Sequence, residues 1–243
     1  MTSIADAACC ILVTRLLSTD KLMGRRALHS PDRTLDLSHH LKTFDDLPCL
    51  WDVAELFAGG GPLEIEVGSG KGLFMQRAAE QFPDRNFLGI EIAHKYARFA
   101  AARLAKRKLD NAIMVSGDAL RIFRETLSDQ SCSAVHVYFP DPWWKKRHRK
   151  RRVMTEQFLA DVQRTLLTGG TLHFWTDVQD YFDESLALIS KTTQLGGPSW
   201  PAELPASHDL DYHTHFERRM RLKEQTVYRA KFLKGGERPA GQC

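Results

Sequence analysis

The chain is poor in the features that mark specialised protein classes. It has five cysteines in 243 residues, an odd number, and no Cys-x-x-Cys pair among them. That argues against a disulfide scaffold, a zinc ribbon and a dithiol redox motif, and leaves buried or free thiols. Long apolar runs are also missing. The stretch at residues 7–13 is far too short to span a bilayer, and no basic segment precedes it as a signal peptide would require. No internal repeat or low-complexity tract interrupts the chain. The expectation is a cytoplasmic protein with no membrane partner. Hydrophobic residues at 43% and charged residues at 26% describe an ordinary globular chain, and the length fits one domain with a short extension.

Charge is present but unevenly placed. Residues 145–152 read Lys-Lys-Arg-His-Arg-Lys-Arg-Arg, seven positive side chains in eight positions; without those seven the net charge of +4 becomes −3. A mildly acidic protein with one dense basic strip suggests a polyanionic partner.

Residues 1–62 carry little pattern and are read as an N-terminal extension, with a short helix near 52–57 and breakers at Gly59-Gly60-Gly61-Pro62. From residue 63 to the C-terminus the pattern is regular. Strands are expected at 63–67, 87–91, 112–116, 134–139, 171–175 and 226–233, with helices near 73–81, 94–108, from 118, from 155 and at 180–192. Gly169-Gly170 reads as the stop of the helix that starts near 155, and Gly196-Gly197-Pro198 as a loop. Alternating strands and helices define an α/β domain with a mostly parallel central sheet and helices on both faces. Such sheets bind ligands at the carboxyl ends of their strands. Glu66, Glu91, Asp118, Asp141 and Asp177 each stand at or just after the end of a different strand, so five acids should converge on one crevice.

The loop Gly68-Ser69-Gly70-Lys71-Gly72 lets backbone approach a ligand closely. Its third glycine comes one position early for a dinucleotide fingerprint, and Lys71 lacks the hydroxyl residue a P-loop needs after it. Glu91, about twenty residues past the glycines, stands where a ribose hydroxyl acceptor is expected. Glu66 beside the loop would repel a pyrophosphate but suits S-adenosyl-L-methionine, which carries an ammonium and a sulfonium. Asp118 could accept from an adenine amino group, or cap the helix it precedes. Asp141 lies between two prolines, followed by Trp143-Trp144-Lys145 and the strip. The prolines hold that carboxylate rigid, the aromatic pair offers stacking surface and the lysines offer phosphate contacts. Asp177 precedes a helix and could cap it. Thr214 and Glu217, at i and i+3, would share one side of a helical turn or form a capping pair. His208, His213 and His215 match no zinc spacing, and no metal is expected.

These residues resemble the bacterial tRNA (guanine-N7-)-methyltransferases. The likeness rests on Glu66-Val-Gly-Ser-Gly-Lys-Gly72, Gly89-Ile-Glu91, Gly117-Asp118-Ala119, Phe139-Pro-Asp-Pro-Trp143 with the strip, Thr176-Asp177 and Thr214-His-Phe-Glu217, over about residues 63–234. It implies a Rossmann-like class I S-adenosylmethionine-dependent methyltransferase fold with an antiparallel last strand. It also implies methyl transfer to N7 of guanine 46 in the tRNA variable loop. Glu66, Gly68, Gly70, Gly72, Glu91, Asp118 and Asp141 would bind the cofactor, with Asp141 also catalytic. Lys145, Asp177, Thr214 and Glu217 would bind substrate, and Lys146, Arg147, Arg149, Lys150, Arg151 and Arg152 the RNA backbone. A monomer or homodimer is expected. Trp144 departs from the family, whose members commonly have another residue there, often His.

Overall fold

A computed structural model describes residues 34–47, 56–57, 59–203 and 212–235. The expected helix near 52–57, Cys9, Cys10, Cys49, Cys243 and His208 lie wholly or mostly outside these. The strands are β1 (Leu41–Thr43), β2 (Leu63–Val67), β3 (Asn86–Glu91), β4 (Ala112–Ser116), β5 (Cys132–Tyr138), β6 (Leu166–Thr176), β7 (Gly196–Ser199) and β8 (Tyr228–Leu233). The helices are α1 (Leu73–Gln81), α2 (His94–Arg107), α3 (Ala119–Glu125), α4 (Glu156–Thr165), α5 (Gln179–Thr192) and α6 (His215–Arg221).

All eight strands form one sheet in the order β1-β4-β3-β2-β5-β6-β8-β7. Those from β1 to β6 run parallel, while at the far edge β8 pairs antiparallel with β6, and β7 antiparallel with β8. After β2 the chain steps outward through β3 and β4, then returns to place β5 on the other side of β2. That reversal puts the ligand crevice between the carboxyl ends of β2 and β5.

Alternation along β2 sorts the two faces. Ile65 and Val67 enter the larger core with Phe123, Phe158, Val162 and Ile189 of α3, α4 and α5. Glu64 and Glu66 point to the opposite face, where α1 and α2 pack Met75, Ala100, Ala101 and Leu104 against Phe87 and Met114. The alanine run of α2 permits close approach. A Cβ on Gly72 would lie 2.6 Å from that of Ala100. Among the described residues no helix is long and apolar enough to cross a membrane.

The structure corrects three local expectations. The helix from residue 156 ends at Thr165, so Gly169 and Gly170 lie inside β6. There Gly169 takes φ +82° and the pairing with β5 shifts register between Cys132 and Ala134. Gly196–Ser199 is a strand because β8 pairs with it, although its composition reads as loop. Leu41–Thr43, within the stretch read as an extension, joins the same sheet as β4's neighbour.

Candidate active site

The five acids follow the carboxyl ends of five adjacent parallel strands, in the spatial order Asp118, Glu91, Glu66, Asp141, Asp177. Gly68, Gly70 and Gly72 all take positive φ (79°, 54° and 67°), which turns the chain from β2 into α1. The Gly68 N–H donates to the Ile90 carbonyl at 2.8 Å and seats the loop against β3. Glu91 completes the cradle. Its Oε2 accepts the Gly70 N–H at 2.9 Å and its Oε1 the Ala93 N–H at 2.8 Å.

Glu66 is buried, and its Oε2 has no hydrogen-bond partner among the described residues. Burial, reinforced by the negative charge of Glu91 and opposed by Ser69, pushes its carboxyl up to about 8. An orphaned buried carboxylate is costly unless a ligand completes it. A cationic group fits this position, which is the test that the ammonium of S-adenosylmethionine meets. Ile92, directly after Glu91, is 74% exposed and adds apolar surface at the same edge. No motif marks Ile92 in the sequence; its only signal there is a large aliphatic residue directly after a strand-end acid.

Asp118 caps α3, its Oδ1 accepting the Leu120 N–H at 2.9 Å. Asp177 does not cap α5. The Val178 N–H is satisfied by Thr176 Oγ1 at 3.2 Å, so the carboxylate of Asp177 stays unpaired among the described residues.

Asp141 is exposed between two strained residues, Phe139 at φ 51° and Trp143 at φ 43°. Left-handed backbone at two aromatic residues costs energy that the surroundings must supply. Here the Phe139 N–H donates to the Trp175 carbonyl at 2.8 Å, and its ring packs 4.9 Å from that of Phe216. Arg152 Nε donates to the Pro142 carbonyl at 2.7 Å. Arg152 also pairs with Glu184 and lies over the Tyr181 ring, with its side chain only 11% exposed. It is therefore committed to holding the loop. The strip itself is a 3-10 turn, Lys146–Arg151. Lys145, Lys146, Arg147, Lys150 and Arg151 are exposed and pair with no carboxylate among the described residues, while Arg149 approaches Glu184 at 3.7 Å. Trp144 is 62% exposed beside them.

Thr214 and Glu217 form the capping pair. Thr214 Oγ1 accepts the Glu217 N–H at 2.9 Å, and Glu217 Oε2 accepts the His213 N–H at 2.7 Å. Glu217 also meets Arg229 at 3.2 Å and Arg221 at 3.5 Å. Burial opposes its charge, but His213 and Arg229 prevail and hold it down at about 2. The α6 turn is so fixed over a cavity of about 750 Å³ on the Glu66 face of the sheet, lined by Glu64, His136, Tyr138, Trp175 and His213 among others.

The sheet order and this crevice define a class I S-adenosylmethionine-dependent methyltransferase. Solved structures share that fold. The 16S rRNA methyltransferase KamB matches with a TM-score of 0.54 at 13% identity, over 75% of this chain and 92% of its own. The antibiotic-resistance methyltransferase Kmr matches at 0.51 and 16%, over 77% and 95%. Residues 60–230 match the Methyltransf_4 family, described as "Putative methyltransferase". The tRNA (guanine-N(7)-)-methyltransferase of Rhodopirellula baltica is 51% identical over 218 residues, covering 87% of this chain and 80% of that protein. The protein of the same description from Myxococcus xanthus is 34% identical over 196 residues, covering 78% and 90%. The chain belongs to the tRNA (guanine-N(7)-)-methyltransferase family.

Proposed function

We propose that this chain methylates N7 of guanine 46 in the variable loop of tRNA, with S-adenosylmethionine as the methyl donor. The observation that carries the reading is the juxtaposition at one sheet end. The orphaned Glu66 and its glycine cradle stand directly beside the strained aromatic and basic loop that holds Asp141.

Glu66, Glu91, Asp118 and the loop from Gly68 to Gly72 hold the cofactor, and Ile92 offers a flat apolar ledge to a ring. Bound there, S-adenosylmethionine supplies an electrophilic methyl on a sulfonium centre. Guanine N7 is a lone-pair acceptor on the base edge, so it attacks in line without first losing a proton. No general base is required. The protein's work is to align the base and to stabilise the positive charge that develops on its ring. In this reading Asp141, at the switch between β2 and β5, answers that charge. Asp177, its carboxylate unspent on capping, accepts from the N1–H and N2–H donors of guanine.

Lys145 and the exposed residues Lys146, Arg147, Arg149, Lys150 and Arg151 face phosphates, and Arg152 keeps their loop in position. Trp144 offers a stacking face of the kind RNA-binding proteins use for splayed-out bases. Thr214 and Glu217 act by fixing the α6 turn at the substrate edge.

Methyl transfer to unmodified bulk tRNA, followed by nucleoside mass spectrometry, tests the reading. 7-Methylguanosine is the expected product, and Asp141→Ala lowers the single-turnover rate roughly a hundredfold. A different methylated nucleoside would overturn the target atom. Near-normal single turnover in Asp141→Ala would remove that residue from the chemistry.

A further inference from the structure

A second cluster of chemistry-bearing side chains lies at the opposite end of the sheet. His39 and His40 lead into β1, and Asp110 sits in the turn from α2 into β4. Because β1 and β4 run parallel, with Leu41 opposite Met114, both approach from the amino ends of their strands. The active site occupies the carboxyl ends.

One ligand atom from each of the three residues lies within 4.8 Å of the others. His40 Nε2 is 3.7 Å from Asp110 Oδ1, beyond hydrogen-bond reach. His39 Nε2 is 3.0 Å from the Asp110 backbone carbonyl. The His40 side chain is only 9% exposed, and its Nε2 has no hydrogen-bond partner among the described residues. A buried ring nitrogen aimed at a carboxylate yet unbonded to it calls for a third party.

We propose that His39, His40 and Asp110 bind a divalent transition-metal cation of zinc type, which clips the entry of β1 to the entry of β4. Two imidazole nitrogens and one carboxylate suit Zn²⁺, Co²⁺ or Ni²⁺, whereas Mg²⁺ and Ca²⁺ favour all-oxygen sets. Bonds of about 2.0–2.2 Å in a tetrahedron set neighbouring ligand atoms about 3.4 Å apart. The His40–Asp110 separation is already near that value, and Asp110, with 80% of its side chain exposed, is free to rotate the remainder. Water fills the fourth position. The clip answers a structural need. A three-residue edge strand makes few ladder bonds of its own, and β1 is the outermost strand on this side. No zinc spacing in the sequence announces the site, because adjacent histidines and a distant aspartate meet only through strand pairing.

The test uses the full chain, stripped with chelator, titrated with Zn²⁺ by calorimetry and with Co²⁺ by visible absorption. One equivalent binds saturably and raises the melting temperature. Asp110→Asn and His39→Gln, both at side chains outside the core, weaken binding roughly tenfold or more. Both should leave methyl transfer unchanged, and His40→Gln serves as a third arm. Absence of a saturable equivalent, binding spread over several weak equivalents, or unchanged affinity in both Asp110→Asn and His39→Gln would overturn the site.

Discussion

Glu66 links burial, charge and ligand at a single carboxylate. With its carboxyl raised to about 8, the free protein holds it protonated at neutral pH. The ammonium proposed to meet Glu66 would favour the ionised form, so cofactor binding should expel a proton. Below pH 8 the affinity should rise with pH and then level off. Calorimetry in two buffers of different ionisation enthalpy should find release approaching one proton at pH 7, absent in Glu66→Gln. Equal heats in both buffers would contradict the linkage. Stability follows with a definite sign. A carboxyl raised from its ordinary value of 4.5 stabilises the fold fully below that value and loses the contribution as pH climbs through 8. The melting temperature of ligand-free protein should therefore fall across this window less steeply in Glu66→Gln. Asp118 separates two roles in another way. Serine also caps helices, so Asp118→Ser should keep the melting temperature and lose cofactor affinity. Asp118→Ala should lose both, with the cap worth about 1 kcal/mol. Unchanged affinity in the serine variant would leave Asp118 as a cap alone.

At the scale of elements, the tightest constraint is the passage from β2 into α1. Gly72 stands at φ 67°, and a Cβ there would meet Ala100 Cβ at 2.6 Å and its Cα at 3.3 Å. Left-handed strain and a helix–helix collision add, so Gly72→Ala should destabilise by on the order of 2 kcal/mol. Denaturant unfolding with an unchanged slope would measure it, and a loss under 0.5 kcal/mol, as at a neutral surface position, would mean that α2 yields. This passage was legible because its signals are local: alternation through residues 63–67, then glycine, then a periodic helix. The parallel sheet and the acids at its strand ends followed from the same local pattern. What escaped depended on partners distant in sequence. Gly196–Ser199 is a strand only through β8, and the β1 tripeptide Leu-Lys-Thr carries no pattern before β4 pairs with it. The commitment of Arg152 to Glu184 spans 32 positions that no motif connects. Within a run of seven like charges, composition could not separate Arg152, which holds the loop, from those that face outward.

Across the whole molecule, that distinction sets how the protein meets an anion. The chain outside the strip is mildly acidic, so association with RNA should depend on a few exposed side chains rather than on a diffuse positive field. Each phosphate neutralised contributes about 0.7–0.9 to the slope of log affinity against log salt. Four contacts from the set Lys145, Lys146, Arg147, Lys150 and Arg151 would weaken tRNA binding on the order of a hundredfold between about 50 and 200 mM salt. Replacing Lys146, Arg147 and Lys150 together with glutamine should lower that slope by about 2–3 and leave cofactor affinity intact. Arg152→Gln should behave differently. It frees the Pro142 carbonyl and leaves Glu184 with the more distant Arg149. The loop should then lose its strained geometry, with methyl transfer reduced at saturating tRNA and the salt slope nearly unchanged. If Arg152→Gln instead lowered the slope by the same step as each exposed residue, Arg152 would be a phosphate contact. The loop would then owe its shape to the contacts of Phe139 with Trp175 and Phe216.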